Sequence, residues 1–241
     1  MHFHLPKPIH GWREFLGEVG IIVLGVMVAL ALDAVAEDLS WHRKVSEARQ
    51  VIRYEVGHNI RLMQVNEQQS KCAGKRLDQL GAVLNIAIKT GRLPPLGRFA
   101  GPSGGTWPDG VWQSQISAET ATHFPERELA SLARVYRYIQ LVRERQTKAD
   151  EAWTILKSMS GPGRQVDAGT IDRLAYALEV ARDSAVGVQR AHNYINDILK
   201  QSSLGSDFPQ IDPKNPPVGT SGTPPVCQPI SNQIPGAYGQ V

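Results

Sequence analysis

An uncharged apolar run near the N-terminus constrains this chain more than any other feature. Residues 19–32 carry no charge, and Glu18 and Asp33 bracket them. Extended outward to Phe15 and Ala36, the segment has about 22 residues, or about 33 Å of helix, enough to cross a hydrocarbon core of about 30 Å. Trp12 and Trp41 lie beyond its two ends, about 43 Å apart along a continuous helix, close to the thickness of a bilayer with its headgroups, where indole rings settle. Glu18 and Asp33 then fall near the two boundaries, where a charge is solvated, and not at the midplane, where it is costly. Residues 14–36 are therefore read as a transmembrane anchor. Gly25 and Ala29, one helical turn apart, form a small-xxx-small pair and are a candidate helix–helix contact in the membrane.

A cleaved signal peptide is the competing reading. Ala34, Val35 and Ala36 fit the small-x-small cleavage rule, and an apolar core of about 14 residues is within range. Glu14, Glu18 and Asp33 argue against it, because a signal peptide opens with a basic region. A buried helix of a soluble protein is a third reading, opposed by the length and by the two tryptophans. Lys7 and Arg13 precede the span, while Arg43, Lys44 and Arg49 follow it, so the positive-inside count does not decide the orientation.

Beyond the anchor and a C-terminal tail, about 160 of the residues remain, which suits one domain with its own core. The net charge is +3 and 20% of residues are charged, and no basic stripe interleaved with aromatics is present. No nucleic-acid partner is expected from that balance. The two cysteines, Cys72 and Cys227, lack metal-ligand spacing. In an exported domain they favour one disulfide, which would pin the tail to the helical domain. Two unrelated thiols are the alternative, because sequence alone does not identify a cysteine's partner.

Taken in order, residues 1–13 are a short tail broken by Pro6 and Pro8. Its His2, His4 and His10 are scattered, and no metal site is expected there. The anchor runs on into an amphipathic helix in which Val45, Ala48, Ile52, Val56, Asn59 or Ile60, and Met63 recur at the helical period. Arg49, Arg53, Glu55 and Arg61 are assigned to the opposite face. Over residues 68–74 the apolar pattern lapses and a bend is expected. Leu77, Leu80, Leu84 and Ala87 or Ile88 resume it, and Gly91 with Pro94 and Pro95 ends it.

Residues 91–112 form a Gly/Pro-rich loop carrying Trp107 and Trp112. These two rings either pack over a core or make an interaction loop. Within the loop, Gly101, Pro102, Ser103, Gly104 and Gly105 match the G-x-S-x-G nucleophile elbow, but that chemistry needs a strand before the serine and a helix after it. Neither is in view, so Ser103 is read as a loop serine. A short helix is expected over residues 111–122. A long one follows from Pro125, with Glu126 and Glu128 suited to its N-terminus and Leu129, Leu132, Tyr136, Ile139, Val142, Ala149, Trp153 and Leu156 on one face. Gly161, Pro162 and Gly163 stop it. The last helix carries a regular seam of Ile171, Leu174, Leu178, Ala181, Ala185, Val188, His192, Ile195 and Leu199. His192 reads as a hydrogen-bonded core histidine, since no Asp, Glu or Cys shares its face at i±4. Residues 204–241 hold eight prolines and are read as an extended tail, apart from any staple at Cys227.

The expected fold class is all-α: the transmembrane helix runs into an antiparallel bundle of about four helices over residues 37–203, with the Gly/Pro-rich loop and the Pro-rich tail attached. The anchor also resembles that of an uncharacterised bacterial family of single-span membrane proteins. The residues that carry the likeness are Gly17-Glu18-Val19, Ile21 to Val23, Gly25-Val26, Ala29-Leu30, Asp33 and Trp41, with Trp112-Gln113-Ser114 ahead of the helix near Pro125. Ala34-Val35-Ala36 departs from the family's polar or aromatic residues there and keeps cleavage open. The resemblance implies a bacterial inner-membrane protein with residues 1–13 in the cytoplasm and a helical domain in the periplasm. It brings no activity, cofactor or catalytic residue.

No phosphate loop, zinc helix motif, redox C-x-x-C or placed triad is present, so neither catalysis nor a cofactor is expected. The leading expectation is an anchored interaction or scaffold protein, whose partners are the lipid bilayer and a membrane or periplasmic protein, or a second copy of the chain. The alternative is a sensor-like helical module that holds a small ligand between helices. With about 13 residues ahead of the anchor, such a module would act through a partner membrane protein.

Overall fold

The computed structural model of the protein describes residues 11–202 and 223–232. The readings of residues 1–10, including the three histidines, and of most of the Pro-rich tail lie outside these. Among the described residues the chain is mostly helical: α1 Trp12–Thr90, α2 Gly110–Ser117, α3 Glu126–Lys157 and α4 Ala168–Gln201. Short 3-10 turns occupy Thr120–His123 and Pro225–Cys227. A two-stranded antiparallel ladder joins β1 Arg92–Leu93 to β2 Arg164–Gln165, with Arg92 opposite Gln165. The chain divides into two compact units, Met1–Arg49 and Gln50–Val241.

In the first unit, the apolar run is helical and open to its surroundings. Ile21, Leu24, Met27 and Leu30 are each more than half exposed. The most apolar 18-residue window has a mean hydropathy of 2.6, and none of it is buried. That is one helix near the N-terminus long and apolar enough to cross a membrane.

The second unit is built on α1 after residue 49. Ile52, Val56, Ile60 and Met63 are buried, as their spacing predicts, and Leu77, Leu80, Leu84 and Ala87 continue the stripe. Ala87, not Ile88, is the inward member of that pair. The helix stops where Gly91 takes a positive φ of 66° and donates its N–H to the Ala87 carbonyl at 2.8 Å, a conformation glycine adopts without penalty. The chain on either side of the α3–α4 turn is then stitched to the segment after α1. Leu96 and Gly161 exchange N–H···O bonds of 2.9 and 2.8 Å, and the Val166 N–H donates to the Gly91 carbonyl at 3.0 Å.

α3 opens with Pro125 at its N-cap, one position before its first helical residue, and Glu126 and Glu128 favour its positive end. α4 opens on Asp167, whose carboxylate accepts the Thr170 N–H at 2.7 Å. One apolar cluster joins Leu77, Leu80 and Leu84 of α1 to Trp153 and Leu156 of α3, Leu174 and Leu178 of α4, and Val226 of the C-terminal segment. Each large side chain buried there contributes about 1.5–3 kcal/mol.

Three local expectations are corrected. α1 is continuous through residues 68–74, with no bend. The apolar pattern lapses there because polar side chains face irregular chain segments instead of another helix. Glu55 is buried at 5% exposure, not solvated on an outer face. In the middle of α4 the interior is lined by Ser184 and Gly187, while Ala185 is exposed and Val188 half-buried. Gly187 lets the Arg145 side chain lie close against α4, since a Cβ there would stand 2.3 Å from it.

Candidate functional site

Four polar residues on the inward side of α1 organise the irregular parts of the second unit. Glu55 accepts the backbone N–H of Val111 at 2.9 Å and of Trp112 at 3.3 Å, and the Tyr136 hydroxyl at 2.7 Å. Asn59 donates to the Pro108 carbonyl at 2.7 Å. Gln69 accepts the Ser103 N–H at 2.7 Å. Arg76 donates to the carbonyls of Val226 and Gln228. A helix presents side chains at fixed intervals, so these four act as a template for segments with no regular backbone partners of their own. Burial, followed by the neighbouring Glu55 carboxylate, pushes the Tyr136 phenol far up, which keeps it a hydrogen-bond donor. Burial also lowers the Arg76 guanidinium.

The loop carrying the two tryptophans is held against this template. Trp107 and Trp112 are 3% and 5% exposed, so both rings are packed in this structure. Trp112 stacks on Tyr136 with ring centroids 5.0 Å apart. Asp109, between them, takes a two-pronged bond from Arg143 at 2.6 and 3.0 Å. The guanidinium holds its carboxyl below the usual carboxylate range, and that carboxylate raises Arg143 in turn. Ser103 is exposed in an irregular stretch, ten residues after the end of β1 and with no helix until Gly110. The glycines around it have packing reasons: a Cβ at Gly101 would lie 2.9 Å from the Trp153 ring, and one at Gly105 would lie 2.8 Å from Leu62.

Cys72 and Cys227 are brought together, their sulfurs 2.11 Å apart, at disulfide distance. Arg76, one turn further along α1, grips the same C-terminal segment, and the Ser231 N–H adds a 2.8 Å bond to the Arg98 carbonyl. Gly25 and Ala29 are exposed on the apolar helix, with nothing within 4 Å of a Cβ built at Gly25.

A cavity of about 70 Å³ lies where α1, α3 and α4 meet under Pro102. Met63, Ala73, Trp153 and Val188 give it apolar walls, and Glu67, Asp150, Ser184 and His192 add polar groups. His192 is 4% exposed. Its Nδ1 stands 3.5 Å from Glu67 Oε2, and its Nε2 has no hydrogen-bond partner among the described residues. Burial lowers its pKa, and the Glu67 charge only partly offsets this. The acidic neighbour that the α4 face lacks at i±4 is therefore supplied by α1. No sequence signal linked the two residues, because they are 125 positions apart (192 less 67). Among the described residues no group of His, Cys, Asp and Glu has a metal-binding arrangement.

The chain matches no family model, no curated protein and no solved structure.

Proposed function

We propose that this chain is a single-pass protein of a bacterial inner membrane, with residues 1–13 in the cytoplasm and the helical domain in the periplasm, and that it works as an interaction or scaffold protein without catalysis of its own. The observation that carries this reading is the apolar stretch of α1, which is helical, uncharged and wholly unburied. The paired cysteines support the orientation, because disulfides persist in oxidising compartments such as the periplasm. The resemblance of the anchor to the single-span family points the same way. The arrangement of α1, α3 and α4 as an antiparallel bundle belongs to this proposal, as do Gly25 and Ala29 as the contact with a neighbouring span or a second copy.

Alkaline carbonate extraction followed by protease treatment of spheroplasts tests the topology. The full chain is expected to stay in the membrane pellet and to lose its domain to external protease. A domain that survives in intact spheroplasts overturns the orientation. Cross-linking in native membranes is expected to give discrete species of fixed stoichiometry that are lost with Gly25→Leu. A chain that stays monomeric and unpartnered overturns the interaction reading.

A second reading, a module that binds a small ligand and signals through a partner membrane protein, is favoured by the cavity between α1, α3 and α4. The two readings are compatible, since an anchored interaction domain can respond to a ligand.

A further inference from the structure

We propose that the cavity between α1, α3 and α4 binds a small organic cation: an amine with a short apolar body. The inference rests on the reading of that cavity as a ligand site and adds the chemistry of the ligand.

Size comes first. A water needs about 10–15 Å³ of such space, so about 70 Å³ accommodates a body of a few heavy atoms. Charge comes second. Two carboxylates line the cavity, Glu67 on α1 and Asp150 on α3, and no Lys or Arg does. Asp150 is partly engaged by Gln146, which donates to it at 3.0 Å, and Glu67 stands beside His192. Burial favours the neutral imidazole, so His192 does not cancel this negative charge. An anionic ligand would meet two carboxylates with no compensating cation. A purely apolar ligand would leave the buried His192 Nε2 and the two carboxylates without new partners. An ammonium group pairs with the carboxylates, while its alkyl body covers the apolar walls.

The third observation is Trp153. Its indole lines the same cavity as the two carboxylates, 4% exposed and packed against the loop at Gly101. An indole that shares a pocket with two rim carboxylates suits an ammonium group, whose charge pairs with the carboxylates while its alkyl body lies against the aromatic and apolar walls. The sequence hid this site because its residues come from three helices and read singly as core or surface.

The test uses the full chain in detergent, with n-butylammonium chloride, 1-butanol and sodium butyrate as probes of similar size and different charge. Binding is followed by chemical-shift titration and by the melting midpoint. The expected result is saturable binding of n-butylammonium in the millimolar range or tighter, with 1-butanol weaker by about tenfold and butyrate not bound. Glu67→Gln and Asp150→Asn are each expected to weaken n-butylammonium by about tenfold without lowering the unliganded melting midpoint, since both carboxylates are exposed at the rim. Ala185→Phe, at an exposed position bordering the cavity, is expected to abolish binding in a folded protein. Equal binding of 1-butanol and n-butylammonium overturns the cation assignment while leaving the pocket a ligand site. The absence of saturable binding by all three probes overturns the pocket itself. Binding of n-butylammonium that survives Ala185→Phe overturns its location.

Discussion

Glu55 shows how much one side chain can carry in this fold. It is buried, and its two oxygens take three donors from two different segments. Glu55→Gln keeps the shape but replaces an acceptor oxygen with an NH2 that faces those donors. Hydrogen bonds to a charged group are worth about 1.5–3 kcal/mol each, and leaving buried donors unpaired adds to that. The expected loss is about 2–4 kcal/mol, read as a lower urea midpoint with helical content retained. Glu47→Gln, at an exposed position, is expected to change stability by no more than about 0.5 kcal/mol. His192 sets a pH dependence. Its folded pKa is lowered by burial, so its contribution to stability is fully present above the unfolded value near 6.5 and is lost as pH falls through the folded value. Melting midpoints are expected to fall as the pH drops from 7 to 5. His192→Leu is expected to flatten that limb, and an unchanged slope would assign the acid sensitivity to other groups. The burial of His192 was legible in sequence, but its acidic neighbour Glu67 and the inward position of Glu55 were not. Glu55 sits beside Val56 and reads as the edge of a charged face, and only the loop's need for acceptors turns it inward.

At the scale of the element, α1 was the most readable part of the chain and also the one misread over residues 68–74. The period of Ile52, Val56 and Ile60, then Leu77, Leu80 and Leu84, is what helix-on-helix packing demands, so sequence reports it directly. Between these runs α1 faces the Pro/Gly loop and the C-terminal segment, and Gln69 and Arg76 replace leucines because those segments offer bare backbone groups, while Cys72 meets Cys227. An apolar template cannot register such a match. The α4 seam likewise failed at Ala185 and Val188, which border the cavity and so are not fully covered. The Cys72–Cys227 pair gives a test of this tethering. The sequence separation is 155 residues, and closing so long a loop restricts the unfolded chain strongly, by about 2–4 kcal/mol in typical native disulfides. Reduction, or Cys72→Ala with Cys227→Ala, is expected to lower the denaturation midpoint by that amount. It is also expected to raise proteolytic cleavage within residues 223–232 before the helices are cut. Equal protection of that segment in both forms would mean that Arg76 and Val226 hold it unaided.

For the whole molecule, the decisive property is a contrast in what the two units do with apolar side chains. The second unit covers its leucines, whereas the uncharged run at residues 19–32 of the first leaves ten large apolar residues in the open, each worth about 0.3–0.6 kcal/mol toward membrane insertion at the helix centre. Together these give about 3–6 kcal/mol in favour of the membrane, and two arginines at the centre, at about 2.5–3.5 kcal/mol each, would offset it. Leu24→Arg with Val28→Arg is therefore expected to move the full chain from the membrane pellet to the soluble fraction. A chain beginning at residue 37 is the complementary case. It keeps Val45 and Ala48, which are 5% and 3% exposed, and discards only the exposed run. It is expected to be soluble and monodisperse by light scattering without detergent. It is also expected to keep the helical circular dichroism and the melting midpoint of the full chain within a few degrees, because no buried side chain among the described residues is removed. If it aggregates or melts much lower, the run at residues 15–36 covers part of the folded domain, and the membrane reading of the exposed helix is lost. If it stays soluble while the arginine variant remains in the pellet, the domain itself holds the membrane or a membrane-bound partner. The surface responsible would then lie after residue 49, where Tyr54 and Tyr176 are the most exposed aromatic side chains among the described residues.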